Sequence, residues 1–450
     1  MKFIDLFAGL GGFHKALHAL GHECVFASEL NPTLRELYKM NWGIEARGDI
    51  KKIVEKKIDS IPPHDILCAG FPCQPFSKAG NQAGLKDKER GNLFDEIIKI
   101  LKHRTPNYFI LENVPFIRKH DNRATWKYMY DELTNLGYEV AHEIYSPQDF
   151  GIPQHRKRIF IVGSLNGLGK FTFDEIDEQK TTVADIHEFI SIDPINIKKL
   201  SKANQGCINL WQQFLDQIPK ERKIPGCPIW GMEFGATYPY ENSYPLKLSV
   251  EDLGEFKGNF GCSLKGFSKN EQSLRLPSYA RITKAFPNWK KNYIKQCREF
   301  YIDNKKYVCN IVKEIAKYPS QSWQKLEWNV NEDNRKIMKY ILQFRASGIR
   351  VKKNDFFPSL VCTSTQIPII GWQNRYLTKE EGLRLQSLEG IVLPTNENAA
   401  FRALGNAVNS KIVQLIAEKL LIDTTDRMHL NNATVSHLQQ LAIQRQHEAA

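Results

Sequence analysis

The stretch Phe3-Ile4-Asp5-Leu6-Phe7-Ala8-Gly9-Leu10-Gly11-Gly12 sets how the rest of the chain is read. Its first five residues form an apolar run of strand length, closed by Gly9, Gly11 and Gly12. From Phe13 the pattern becomes helical and runs to Leu20. It ends at Gly21, where glycine takes the left-handed C-terminal position readily. Strand, glycine turn and helix in that order make a nucleotide-type binding turn. Glycine lets the backbone approach a ligand, and a helix N-terminus attracts an anionic group. The turn has no lysine and no GK[ST], which excludes a P-loop, and its spacing departs from GxGxxG. Taken alone, glycines after a strand are also compatible with a tight turn and nothing more.

The alternation continues beyond this turn. Cys24 to Ala27 reads as a second strand, and Pro32 to Met40 as a helix with Asn31 as N-cap and Pro32 at its first position. Ile66-Leu67-Cys68-Ala69 is a further strand closed by Gly70. Tyr108 to Leu111 and Arg158 to Val162 follow as two more. Apolar strands separated by helices predict a parallel sheet covered on both faces. Glu29, just after the second strand, stands where an acidic residue binds ribose hydroxyls. Asp49, before Ile50, is a candidate for a similar part at the end of a strand.

Reactive residues gather where such strands end. In Gly70-Phe71-Pro72-Cys73-Gln74-Pro75-Phe76-Ser77 a cysteine sits between two prolines, which stiffen the loop and discourage helix or ladder. Cys24, Cys68 and Cys309 read as small buried hydrophobes. Cys73 is set apart by its loop, and polar neighbours that lower its pKa would make it a nucleophile. Leu111-Glu112-Asn113-Val114-Pro115 puts a carboxyl group at the end of another strand. Gln154-His155-Arg156-Lys157-Arg158 leads into the last one, and period two points Arg156 and Arg158 to one face, with one guanidinium toward a polar pocket.

The 450 residues suggest two or three domains. An apolar fraction of 42% and a charged fraction of 25% are ordinary for a folded chain and exclude disorder. No stretch approaches the roughly 18 uncharged apolar residues of a membrane span, and Asp5 interrupts the N-terminal apolar run that a signal peptide would need. Nine cysteines without CxxC or zinc-site spacing predict neither a disulfide framework nor a structural zinc. These features together predict a reduced, cytosolic protein. The 62 Lys+Arg against 50 Asp+Glu give a net charge of +12. The excess is concentrated between Gly261 and Asp355, with 21 Lys+Arg against 8 Asp+Glu, and aromatics interleave with the bases as in Phe286-Pro287-Asn288-Trp289-Lys290-Lys291-Asn292-Tyr293. Such a block is the footprint of a phosphate-backbone partner, a solvated basic face being the plain alternative.

After Gly163 the rhythm becomes irregular and rich in aromatics, which predicts a second domain inserted into the first. The division is 1–164 for the first part of the catalytic and cofactor-binding domain, 165–355 for the insert, 356–422 for the return and 423–450 for a C-terminal tail. Helices are expected over Leu377 to Leu388 and from about Ser410 to Leu421.

The motifs Asp5 to Gly12, Gly70 to Ser77, Glu112-Asn113-Val114, Gln154 to Arg158 and Gly405-Asn406-Ala407-Val408 together resemble the C5-cytosine DNA methyltransferases of bacterial restriction–modification type, in that family's order. The resemblance covers roughly residues 1–165 and 356–422. It implies an α/β, doubly wound, Rossmann-like S-adenosylmethionine-dependent methyltransferase domain with an inserted, smaller target recognition domain. It implies S-adenosyl-L-methionine as cofactor, with no metal. Phe7, Gly9, Leu10, Gly11 and Gly12 would surround its methionine part, and Glu29 would hold the ribose. Asp49 and Ile50 would meet the adenine, with Pro72, Leu93, Asn406 and Val408 completing the pocket.

The resemblance also implies a catalytic set. Cys73 would attack cytosine C6, and Glu112 would stabilise charge at N3. Arg158 would hold O2, while Arg156 would support the site or a phosphate. Lys78 to Arg90 would close as a lid over a base flipped from the stack. The implied partner is double-stranded DNA, acted on by a monomer in the cytoplasm, with a cognate restriction endonuclease acting separately and no membrane. Alternatives are a transfer-RNA cytosine methyltransferase, disfavoured by an insert of about 190 residues, and a catalytically silent DNA-binding relative, disfavoured by intact Cys73, Glu112 and Arg158. A nicotinamide dehydrogenase would leave the proline-cysteine motif without purpose.

Overall fold

The computed structural model describes residues 1–72, 93–190, 194, 196–226, 228–331, 334–361 and 366–421. The chain divides into two compact units, Met1–Ser191 with Pro358–Cys362 and Lys379–Ala450, and Ile192–Phe357 with Thr363–Thr378.

The first unit is built on strands β1 (Lys2–Leu6), β2 (Glu23–Ser28), β3 (Ile66–Gly70), β4 (Tyr108–Asn113), β5 (Glu139–Tyr145) and, after a two-residue strand β6 (Gln154–His155), β7 (Arg158–Ser164). They form one sheet in the order β2-β1-β3-β4-β7-β5. Helices α1 (Gly12–Ala19), α2 (Pro32–Trp42), α3 (Ile50–Lys57), α4 (Leu93–Arg104) and α5 (Ala124–Asn135) connect them. Successive strand residues point to opposite faces, so Phe3, Ile66, Ile110 and Phe160 pack on one side and Ile4, Leu67, Leu111 and Ile161 on the other. Both faces are covered, which is why these strands read as unbroken apolar runs rather than alternating ones.

The first helix stops as the sequence indicates. The Gly21 amide donates to the His18 carbonyl at 2.9 Å and the His22 amide to that of Leu17 at 3.0 Å, with Gly21 at φ 80°. This paired closure uses the left-handed residue that glycine provides. Asn31 caps α2, its side chain accepting from the Leu34 amide at 3.2 Å.

Two expectations are corrected, and one strand is added. The sheet is mixed, because β7 runs antiparallel to both β4 and β5. Residues 146–157 join β5 to β7 without a crossover helix, and strands so joined turn back on one another. The edge strand β5 itself escapes sequence reading, since it is only partly buried and carries Glu139, His142 and Glu143. Asp49 does not end a strand. It is the N-cap of α3, accepting from the Lys51 amide at 3.0 Å.

Residues 165–191 also belong with the sheet unit rather than the insert. They carry the single-turn helices α6 (Asp174–Asp177) and α7 (Ile186–Phe189), and Phe171 and Ile176 pack into the sheet's core.

The second unit contains α8 (Lys202–Gln217), β8 (Pro228–Trp230), α9 (Val250–Gly254), α10 (Lys269–Leu274), α11 (Asn288–Ile315), β9 (Lys325–Asn329), β10 (Ile341–Arg345) and β11 (Gly348–Lys352). Beyond β12 (Phe357–Pro358), the strands β13 (Ile369–Ile370) and β14 (Arg375–Tyr376) complete a sheet in the order β14-β13-β10-β11-β9-β8. Trp211 and Phe214 of α8, Val308 and Ile311 of α11, and Leu326, Trp328 and Leu342 of the sheet share one core. Thr363–Thr378 falls in this unit, so the return placed at 356 comes later for those residues. The chain re-enters the first unit with α12 (Lys379–Leu385), α13 (Glu397–Asn406) and α14 over 410–421. Among the described residues no helix is long and apolar enough to cross a membrane.

Candidate active site

The carboxyl ends of β1, β2, β3 and β4 lie along one edge of the first sheet, because all four run parallel. After β1 the chain turns through Phe7 at φ 56° and Gly9 and Gly11 at φ 54° and 80°. A side chain at Gly11 would place its Cβ 2.2 Å from Trp42 Nε1, and one at Gly12 would place it 2.6 Å from Val408 Cγ1 and from the Val408 carbonyl oxygen. The turn is therefore seated on Trp42 of α2 on one side and on the segment after α13 on the other. Trp42 Nε1 donates to the Leu10 carbonyl at 3.3 Å.

Glu29, just past β2, is fixed by two amides. Gly9 donates to Oε2 at 2.9 Å and Asn31 to Oε1 at 2.8 Å. Each carboxylate oxygen keeps further acceptor capacity, since an ionised carboxylate has about four lone-pair sites. Asp49 follows closely in space, because the Glu29 amide donates to the Arg47 carbonyl at 2.9 Å. Ile50 is buried in the sheet's core, Leu93 begins α4 packed against it, and Pro72 is exposed. Asn406 is the exposed last residue of α13, and Val408 is buried.

Glu112 sits at the end of β4, paired in register with Gly70 of β3. A Cβ on Gly70 would lie 3.6 Å from Glu112 Oε2, so the carboxyl leans over the segment that leads into Pro72. Arg158 Nε lies 2.8 Å from Glu112 Oε1. Burial raises the Glu112 carboxyl above its ordinary value, while the Arg158 and Arg156 charges oppose the rise. The group is thereby able to carry a proton nearer to neutrality than a solvated carboxylate. Asn113 braces the same place, its Nδ2 donating to the Phe71 carbonyl at 3.3 Å. Cys73 and the stretch from Lys78 to Arg90 lie outside the described residues.

Arg156 has a different surrounding from that implied by a shared face with Arg158. It precedes β7, is buried, and donates through Nη2 to the Gly405 and Ala407 carbonyls, each at 2.9 Å. Its Nη1 donates to Ser359 Oγ at 3.2 Å, and its amide donates to Ser146 Oγ at 2.9 Å. A guanidinium so enclosed holds the Gly405–Val408 segment in place. Cys24 and Cys68 are packing residues. Burial pushes the Cys24 thiol up to about 12 and raises that of Cys68 as well.

Sequence reasoning overlooked Trp42 and gave Asn113 no role. Trp42 carries no local signal, since its contact with Gly11 is made across 31 positions of chain. Asn113 lies in the Glu112-Asn113-Val114 motif, and its place after a buried carboxyl at a strand end is the available signal.

Several known proteins are similar to this chain. It is 42% identical over 188 residues to the type II methyltransferase M.HhaI of Haemophilus parahaemolyticus, covering 41% of this chain and 56% of that protein. At this level of identity the chain spans about half the length of the curated relatives it matches. A longer match, 28% identical over 487 residues, joins it to the type II methyltransferase M.AluI of Cellulosimicrobium cellulans, covering 92% of this chain and 91% of that one. The crystal structure of a prophage-encoded E. coli protein described as a DNA modification methyltransferase shares the fold at 17% identity, with a TM-score of 0.51 over 93% of this chain and 98% of the other. The family model for C-5 cytosine-specific DNA methylases matches residues 1–228, just over half of the chain and the whole run from the glycine turn through β7, and on that match the chain belongs to this family.

Proposed function

We propose that this protein transfers a methyl group from S-adenosylmethionine to C5 of a cytosine in duplex DNA. The observation that carries the proposal is the pairing of buried Glu112 with half-buried Arg158 at 2.8 Å, set beside the strand end that leads into Pro72 and Cys73. A carboxyl able to hold a proton next to a guanidinium is the pairing needed to bind one edge of a cytosine, with Glu112 at N3 and Arg158 at O2.

The cofactor assignment fits the residues present. Gly11 and Gly12 let the turn seat against Trp42 and Val408, where any Cβ would clash, and Glu29 is presented by two backbone amides with acceptor capacity to spare for ribose hydroxyls. Gly9 to Gly12, Glu29, Asp49, Ile50 and Val408 would hold S-adenosylmethionine, with Phe7, Pro72, Leu93 and Asn406 around them. When bound, that molecule supplies an electrophilic methyl group.

The chain's own residues account for the rest. Attack by the Cys73 thiolate forms a bond from sulfur to C6 and moves electron density to C5. Glu112 shares its proton with N3 as charge develops in the ring, and Arg158 stabilises O2. Once C5 is methylated, a base (water serves) takes the C5 proton, and the electron pair expels the Cys73 thiolate. Arg156 acts as a positioning residue through Gly405 and Ala407. The base must leave the stack to be reached. We assign target recognition to the second unit, whose basic segment suits phosphate and base-edge contacts. Protection of cytoplasmic DNA from a separate restriction endonuclease, by a monomer, is the cellular role this reading carries.

Labelled methyl transfer to mixed-sequence duplex DNA and, in parallel, to transfer RNA tests the proposal. Label in DNA that is lost in Cys73→Ala supports it. Label in RNA alone overturns the substrate, and transfer at the parent rate by Cys73→Ala overturns the covalent step.

A further inference from the structure

The second unit carries a paired-lysine surface in which, among the described residues, neither ammonium makes an ion pair. Lys290 lies in the first turn of α11, and Lys325 begins β9 opposite Trp230 of β8. Both ammonium groups sit over the Tyr279 ring, Lys290 Nζ at 5.7 Å and Lys325 Nζ at 5.4 Å from its centroid. Trp230 lies against Tyr279 with centroids 4.5 Å apart, and Lys325 Nζ is 5.9 Å from the Trp230 ring. Trp289, the residue before Lys290, is 55% exposed, with Lys290 Nζ 5.4 Å from its ring.

The acids around this surface are already engaged. Glu327 pairs with Arg350 at 2.8 Å and with Arg345 at 3.3 Å. Glu233, fully buried beneath the aromatic layer, accepts from Arg298 Nε at 2.9 Å, from the Tyr279 hydroxyl at 2.6 Å and from the Tyr238 hydroxyl. That network fixes Tyr279 from below. Lysines in the first turn also oppose the helix dipole, which favours anions there. Burial lowers the ammonium pKa of both residues, and at Lys325 the charge of Lys290 lowers it further while Glu327 partly opposes the shift. Two converging cations, partly dehydrated on a rigid aromatic platform and without an ion-paired carboxylate among the described residues, carry a cost that a bound anion would offset.

We propose that Lys290 and Lys325, held on Tyr279 and flanked by Trp289, form a clamp for adjacent backbone phosphates of duplex DNA. The inference rests on the reading of the chain as a DNA methyltransferase and adds the place where the second unit grips the backbone. The clamp supplies affinity without sequence preference, since phosphate contacts position a protein while base contacts specify.

The test is the salt dependence of binding by the full chain to a mixed-sequence duplex of about 30 base pairs, long enough to span more than the roughly 10 phosphate contacts such proteins make. Each phosphate contact contributes about 0.9 to the slope of log Kd against log salt. Lys290→Gln and Lys325→Gln should each lower the slope by about 1, and the double variant by about 2. Lys290→Arg/Lys325→Arg should retain it, and an unchanged melting temperature keeps a folding defect apart. An unchanged slope in the double glutamine variant overturns the clamp. Methyl transfer to the same duplex by the parent chain is measured alongside. Transfer with an unchanged slope removes the clamp alone, whereas neither transfer nor salt-dependent duplex binding removes the methyltransferase reading and the clamp with it.

Discussion

Arg158 meets Glu112 because β7 runs antiparallel to β4, with Asn113 opposite Ile159, so the first residue of one strand lies beside the last residues of the other. In the parallel arrangement the sequence suggested, Arg158 would enter at the opposite edge of the sheet, far from Glu112. The reversal of one strand is thus what assembles a carboxyl and a guanidinium at a single point.

Glu112→Gln should slow methyl transfer by roughly 10²–10⁴, the usual contribution of a positioned acid or base. Its effect on stability should have the other sign at alkaline pH. The folded carboxyl is raised above its ordinary value, so its favourable contribution exists at low pH and is lost as pH rises through the raised value. Single-turnover transfer together with urea unfolding at pH 8 checks both parts, and the glutamine variant should be slower yet no less stable.

Arg156→Ala should destabilise the fold by roughly 3 kcal/mol, since it removes charged donors from the Gly405 and Ala407 carbonyls. Arg156→Lys should rescue little, because an ammonium lacks the fork that spans both carbonyls. Thermal melts measure the loss. A reduced stabilisation by S-adenosylmethionine in the lysine variant would mark the displaced Val408.

Gly12→Ala should destabilise the fold and, by displacing Val408, weaken S-adenosylmethionine binding. Its Cβ would stand 2.6 Å from the Val408 carbonyl oxygen, and overpacking of this kind costs about 1–3 kcal/mol. Calorimetric titration of the variant with S-adenosylmethionine reads the effect directly.

His14 should make the protein acid-sensitive. Its ring is buried, stacked on Trp42 at 4.3 Å, and its Nδ1 lies 2.7 Å from the Tyr38 hydroxyl. Burial depresses its pKa from 6.5 to about 4. The neutral ring's contribution is complete above pH 6.5 and is lost as pH falls toward 4, on the order of 3 kcal/mol across the window. His14→Gln should flatten the dependence of unfolding free energy on pH by about one proton between those values.

What the sequence made legible was local. Glycines after an apolar strand, a capping Asn31 and a Gly21 stop each act within a few residues, so their meaning survives without the rest of the fold. The buried alternation of Phe3 and Ile4 likewise announced a sheet covered on both faces. The direction of β7 was hidden, because strand polarity depends on the connection after β5, whose polar edge strand left no apolar run to read. Arg156 and Arg158 look alike in sequence and part company only in space, one enclosed by carbonyls 249 and 251 positions away and the other at Glu112. Asp49 reads in sequence as the end of a strand, while the structure makes it the N-cap of α3.

The most direct measurement is digestion of duplex DNA to nucleosides after incubation with the protein and methyl-labelled S-adenosylmethionine, followed by identification of the labelled base. Label is expected in 5-methyldeoxycytidine, absent with Cys73→Ala and strongly reduced with Glu112→Gln. Label on an exocyclic nitrogen, or undiminished C5 label from the Cys73→Ala protein, would contradict it.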